Sequence, residues 1–231
     1  MLINMSFKEF TKELNGNRVE GELIKTIFYS LLTSVIFLIA VYYLKLRSIE
    51  NVVPKYGFFI FLSALSYAII VPSIRQVRAY KEFNCMSGMM IGMTLGMLSG
   101  FLPGFYIGAT NGMFVGAVFG MAVGIIIGVW NGKCCGIMGA MEGLMAGFMG
   151  GIMGAMTSVM LLNDNLKAAS IIVLAVCAII IFGLNYMIYK ETKETPRQLK
   201  EDNFFTIALT LVLTATTAWL MIFGPRSFLF Y

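Results

Sequence analysis

The residues able to do chemistry in this chain are soft ones, and they are gathered in one place. Apart from Met1, Met5, Met187 and Met221, every one of the 18 methionines lies between Cys85 and Met160, as do three of the four cysteines. Thioethers are neutral ligands suited to Cu(I), and they bind it without losing a proton. On a helix the spacing MxxxM sets two sulfurs on one face. Met86/Met90, Met89/Met93, Met93/Met97, Met141/Met145, Met145/Met149, Met149/Met153 and Met156/Met160 all satisfy it. Weak, repeated sites of this kind suit conduction, because an ion must leave each one as readily as it entered.

Two other residue types extend the set. Cys85, Cys134 and Cys135 offer thiols, which as thiolates hold Cu(I) more firmly than thioethers do. Glu142 is the only acidic residue well inside a predicted span. A carboxylate at mid-membrane costs about 2.5 to 3.5 kcal/mol, which makes it a functional candidate by default. It follows Met138 by four residues and precedes Met145 by three, so it lies within roughly 60° of both around a helix. There it would offset the charge of a monovalent cation held by neutral sulfur. The candidate metal ligands are therefore Cys85, Met86, Met89, Met90, Met93, Met97, Cys134, Cys135, Met138, Met141, Glu142, Met145, Met149 and Met153. Each type also has a plainer use. Methionine fills irregular grooves, cysteine serves as a small apolar residue, and Glu142 can reach the headgroups or Lys133.

The elements that must position these residues are membrane helices. Of 231 residues, 58% are hydrophobic and 13% charged, whereas charged residues approach a quarter of a soluble domain. Glycine recurs every fourth residue from Gly88 to Gly136, and the interval resumes one residue out of phase at Gly139, Gly143, Gly147 and Gly151. In a soluble helix each glycine costs about 1 kcal/mol relative to alanine. In a bilayer, small residues four apart are what let helix backbones approach one another. The expected fold is all-α, a polytopic membrane bundle of about seven transmembrane helices with a glycine-zipper core.

The predicted spans are 24–44, 57–74, 84–102, 105–130, 134–162, 168–189 and 204–223, making 24–231 a single membrane domain. Pro103-Gly104 is read as the stop of the third span and Asn131-Gly132-Lys133 as the turn after the fourth. Pro72 is placed in the last turn of the second. Residues 1–23 form a cytoplasmic segment in which 6–14 read as an amphipathic surface helix, with Ser6 and Glu9 fitting a capping box. No cleavable signal is expected.

Seven spans put the termini on opposite sides. One side then holds Lys8, Lys12, Arg18, Lys25, Arg75, Arg78, Lys81, Lys133, Lys190, Lys193, Arg197 and Lys200; the other holds Lys45, Arg47, Lys55, Lys167 and Arg226. That excess predicts a cytoplasmic N-terminus and an external C-terminus in a cell membrane. It also puts Cys85, Cys134 and Cys135 together at the cytoplasmic end, where thiols stay reduced.

Several classes are disfavoured. The chain has no histidine, which removes the commonest general base and metal ligand. It has no CxxC and no GxxxxGK[ST], so neither a thioredoxin motif nor a nucleotide site is signalled. One intramembrane carboxylate does not make an acid, a base and a nucleophile, so no enzyme is expected. The net charge of +5 follows membrane sidedness, not nucleic acid.

The pairing of MxxxM with GxxxG resembles the intramembrane motifs of the high-affinity copper importer family. That family has three spans and a methionine-rich external tail, and this chain shows neither. The leading expectation is a membrane protein that binds or conducts Cu(I) or Ag(I). Its expected partners are the lipid bilayer, further copies through the glycine faces, and a soluble copper carrier at the cytoplasmic end. The alternative is a non-catalytic scaffold or self-associating pore in which methionine is packing filler.

Overall fold

The structure, a computed structural model, describes residues 19–44, 52–80, 83–192 and 203–226. The predicted surface helix at 6–14 lies outside them, as do Lys45, Arg47, Lys81, Lys193, Arg197 and Lys200. Within these residues the chain is helical and contains no strand. The helices are α1 (Val19–Leu44), α2 (Val52–Ala79), α3 (Cys85–Asn111), α4 (Met113–Gly132), α5 (Gly136–Met160), α6 (Leu166–Thr192) and α7 (Asn203–Phe223), with a 3-10 turn, Lys133–Cys135, between α4 and α5. Five apolar helical runs are long enough to cross a membrane: Tyr56–Ala79, Cys85–Asn111, Met113–Met160, Leu166–Thr192 and Phe204–Phe223, with Lys25–Ile39 a shorter one. By length and composition this is a multi-pass membrane chain.

The longest run is folded in two. Gly136 takes φ +71°, a left-handed conformation that glycine adopts without strain. The chain reverses there, so the one-residue phase slip in the glycine row falls on a hairpin. A methyl group built on Gly124 would lie 2.9 Å from Gly147 Cα, and one on Gly120 would lie 2.9 Å from Gly151 Cα. These antiparallel contacts are backbone on backbone.

Helix α3 completes a group of three. Gly112, with φ 112°, is the single residue between α3 and α4, so those two also run antiparallel. Glycines then meet in layers, one from each helix: Gly92, Gly132 and Gly139; Gly96, Gly128 and Gly143; Gly100, Gly124 and Gly147; Gly104, Gly120 and Gly151. A methyl on Gly96, for instance, would sit 2.8 Å from the Gly143 carbonyl oxygen and 3.0 Å from Gly128 Cα. The last layer changes chemistry, with Gly108 facing Gly116 of α4 on one side and Ala155 and Ser158 of α5 on the other.

These contacts revise the reading of Pro103-Gly104 as a stop. Helix α3 runs through Pro103 to Asn111. A proline in a membrane helix is tolerated where neighbouring helices hold the backbone in place, and here Gly100 and Gly104 on either side of it are clasped by α4 and α5. The break falls instead at Gly112. Pro72 likewise lies well inside α2, which continues to Ala79.

Helices α2, α6 and α7 pack on α3 through its apolar residues, and α1 packs on α2 and α7. Ile91, Leu95, Leu102 and Tyr106 of α3 are buried together with Tyr67, Ile70 and Ile74 of α2, Ile181 and Ile188 of α6, and Met221 of α7. Contacts at the helix ends fix the order of directions. At one end Arg75 Nη1 donates to Thr26 Oγ1 at 3.2 Å, Arg78 lies 4.7 Å from the centroids of both Trp130 and Phe205, and the Asn84 N–H donates to Glu191 Oε1 at 3.0 Å. At the other, Asn111 Nδ2 donates to the Leu220 carbonyl at 2.7 Å and Arg226 faces the Tyr56 ring. The start of α1, α3 and α7 thus shares an end with the finish of α2, α4 and α6, so consecutive helices alternate in direction.

Candidate functional site

The glycine layers decide where sulfur goes. Gly139, Gly143, Ala146, Gly147, Gly150, Gly151 and Gly154 occupy the buried side of α5, which leaves its methionines on the other side. Met141, Met145, Met149 and Met153 are 55%, 56%, 57% and 49% exposed, so nothing in the described chain encloses them. Met138, Met156 and Met160 are exposed too, as are Met86, Met90, Met93 and Met97 of α3; Met89 is half-buried.

The two helices that carry the MxxxM pairs do meet. A methyl on Gly150 would lie 3.0 Å from Met97 Cα, and one on Gly154 would lie 3.0 Å from Phe101 Cα. Met149 and Met153 bracket Gly150 along α5, so they share a length of the α3–α5 seam with Met97. Glycine is what permits this approach, since any side chain at position 150 would drive into the Met97 backbone.

The cysteines converge at the basic end. The Cys135 thiol sits 3.4 Å from the Asn84 carbonyl oxygen, just before Cys85 opens α3. It also lies 3.8 Å from the Phe83 carbonyl oxygen. Gly88 makes room for it: a side chain there would run into Cys135 Sγ and come within 3.0 Å of Cys134 Sγ. All are free thiols. Cys177 lies apart from them, buried in α6.

Glu142 does not join the cysteines. It is exposed on the methionine side of α5, six residues from the start of the helix. Among the described residues, no group of three or more histidine, cysteine, aspartate or glutamate side chains is arranged to hold a metal ion. Any soft-metal site would therefore depend on the thioethers.

Sequence reading passed over a second set of polar residues. Thr26, Ser30 and Ser34 of α1, and Thr206, Thr210, Thr214 and Thr217 of α7, are all buried. Most of the α7 hydroxyls donate back to their own helix, for example Thr214 to the Thr210 carbonyl at 2.8 Å, which lets neighbouring helices come close without exposing unpaired polar atoms. Ser66 and Tyr106 share a buried hydrogen bond of 2.9 Å between α2 and α3. Gln76, fully buried, donates to the Asn185 carbonyl at 3.4 Å. The four-residue spacing of Thr206, Thr210 and Thr214 was a readable signal.

Compared with protein-family models, with curated proteins and with solved structures, the chain matches none.

Proposed function

We propose that the chain is a seven-span membrane bundle with a glycine-zipper core, and that the methionines outside that core bind or conduct Cu(I) or Ag(I). The supporting observation is the seam at Gly150. There the two helices that carry the MxxxM pairs touch backbone to backbone, so exposed thioethers of α3 and α5 lie along one seam. A thioether needs no proton exchange to take or release the ion. Successive MxxxM pairs on α5 would pass it along the helix, and Glu142 would offset its charge. The cysteines at the basic end, cytoplasmic on the charge distribution, would receive the ion from a soluble carrier or hand it on. No bond is made or broken in substrate, so the protein would not be an enzyme.

The test is to replace Met141, Met145, Met149 and Met153 with leucine. This swap nearly conserves volume, so folding should survive. Copper bound by the purified protein, measured by elemental analysis after exposure to Cu(I), should fall at least tenfold. Unchanged metal content sinks the proposal.

The second reading is a non-catalytic scaffold. Its favouring observation is the half-exposure of these same four side chains, a position that apolar filler against lipid would also take. On that reading the leucine variant is silent in every assay, whereas a bulky residue in a glycine layer is not.

A further inference from the structure

Three nucleophilic side chains meet where two segments distant in sequence are pressed together. Cys85 opens α3, and Cys134 and Cys135 belong to the turn between α4 and α5. The sulfurs of Cys134 and Cys135 both lie within 3.0 Å of one point, the place a methyl group on Gly88 would take. The Cys135 thiol also donates to the Asn84 carbonyl oxygen at 3.4 Å, on the peptide that joins Asn84 to Cys85. Standard peptide dimensions then put Cys135 Sγ within about 6 Å of the Cys85 Cα atom, a gap that rotation of the two side chains can close. The backbones beneath have little room to part. One turn deeper, a methyl on Gly92 would lie 2.9 Å from Gly132 Cα and 3.0 Å from the Gly139 carbonyl oxygen. Cys85 is exposed and the other two are half-buried, whereas Cys177 is buried. Cys134 and Cys135 are poor partners for each other, because neighbouring Cα atoms stand about 3.8 Å apart and a disulfide normally spans about 4.4 to 6.8 Å.

We propose that Cys85 and Cys135 are a redox-sensitive pair, which a peroxide converts to a disulfide that fastens the start of α3 to the turn between α4 and α5. The Cys135 thiolate attacks one oxygen of hydrogen peroxide, the O–O bond breaks, and a sulfenic acid forms with release of one water after protonation. The Cys85 sulfur then attacks the sulfenic sulfur, so that the S–S bond forms as the S–O bond breaks and a second water leaves. Each thiol gives up one electron and one proton, and the peroxide takes both electrons to become two waters. Held on touching backbones, the second step is intramolecular and outruns further oxidation of the sulfenic acid. Such a pair suits a reducing compartment, where disulfides are transient and redox-sensing, and the basic end is the cytoplasmic one on the charge distribution. It requires no metal and stands whether or not the methionines take one.

The test uses the full-length protein in membrane vesicles, treated with hydrogen peroxide, dissolved in detergent that unfolds it, and labelled with a polymer-tagged maleimide that retards the chain one step on a gel for each free thiol. The untreated chain should carry four tags, one for each cysteine. The oxidised chain should carry two, with four restored by dithiothreitol. Cys134→Ser and Cys177→Ser should each still lose two tags, whereas neither Cys85→Ser nor Cys135→Ser should lose a pair. Peptide mass spectrometry of the oxidised unmutated chain, which depends on no variant, should find Cys85 joined to Cys135. No loss of tags, a loss that dithiothreitol does not reverse, a band at twice the chain mass, or a link through Cys134 each overturns the proposal.

Discussion

Two halves of the molecule solve the same packing problem with different residues. In α3, α4 and α5, glycines at every fourth position put backbone against backbone, and a methyl group anywhere in the layers would fall within about 3 Å of main-chain atoms. In α1, α2 and α7, the rows are serine and threonine, with tyrosine, isoleucine and leucine filling between them. Small side chains admit close approach in both cases. The glycine half has no side-chain atoms with which to adjust. The hydroxyl half has rotamers, hydrogen bonds and a conventional apolar core around Tyr67, Ile70 and Tyr106. The first should be rigid and intolerant of substitution, the second forgiving.

The sharpest way to break this contrast is a paired substitution. Gly120→Leu would drive a side chain toward the Gly100 carbonyl oxygen at 2.7 Å and toward Gly104 Cα and Gly151 Cα, both at 2.9 Å. Overpacking a normal core costs about 1 to 3 kcal/mol, and backbone on three sides should push this case to the upper end or past it. Loss of monodisperse protein in detergent is the expected result. Thr210→Ala, in the other half, removes only a hydroxyl bonded to its own helix and should shift stability by less than about 1 kcal/mol. Equal damage from the two would abolish the distinction.

A smaller effect is expected at the join between the halves. Arg78 of α2 lies over the rings of Trp130 on α4 and Phe205 on α7, and such contacts contribute about 0.5 to 2 kcal/mol. Arg78→Ala should lower the unfolding temperature, while Arg78→Lys should retain part of the contact and fall between. The smallest effect belongs to Ser66 and Tyr106. Hydrogen bonds between membrane helices average about 0.6 kcal/mol, so a double-mutant cycle of Ser66→Ala and Tyr106→Phe should return a coupling of that order. A coupling several times larger would make this bond, and not apolar packing, the main tie between α2 and α3.

Much of the helical framework could be read from the chain itself. Apolar runs of bilayer length located the helices, with the predicted 168–189 and 204–223 matching α6 and α7 to within a few residues. The ends were less legible. Pro103-Gly104 has the composition of a stop, but α3 continues through it between α4 and α5, and Gly112 looks like any other member of its row until its φ of 112° is seen. At the candidate site, the spacing of methionine and glycine placed sulfur opposite the buried face of α5. It said nothing of Gly150 meeting Met97, because that contact joins residues more than fifty positions apart.

The sequence by itself determined which face of each helix is small and which carries sulfur, since a helical repeat of 3.6 residues converts spacing directly into direction. Only the tertiary structure decided which small faces meet. That choice depends on where the chain reverses, at Gly112 and Gly136, and on three backbones being able to share one axis at once. With the glycine rows turned inward on each other, the methionines of α5 and Glu142 were left on the outside.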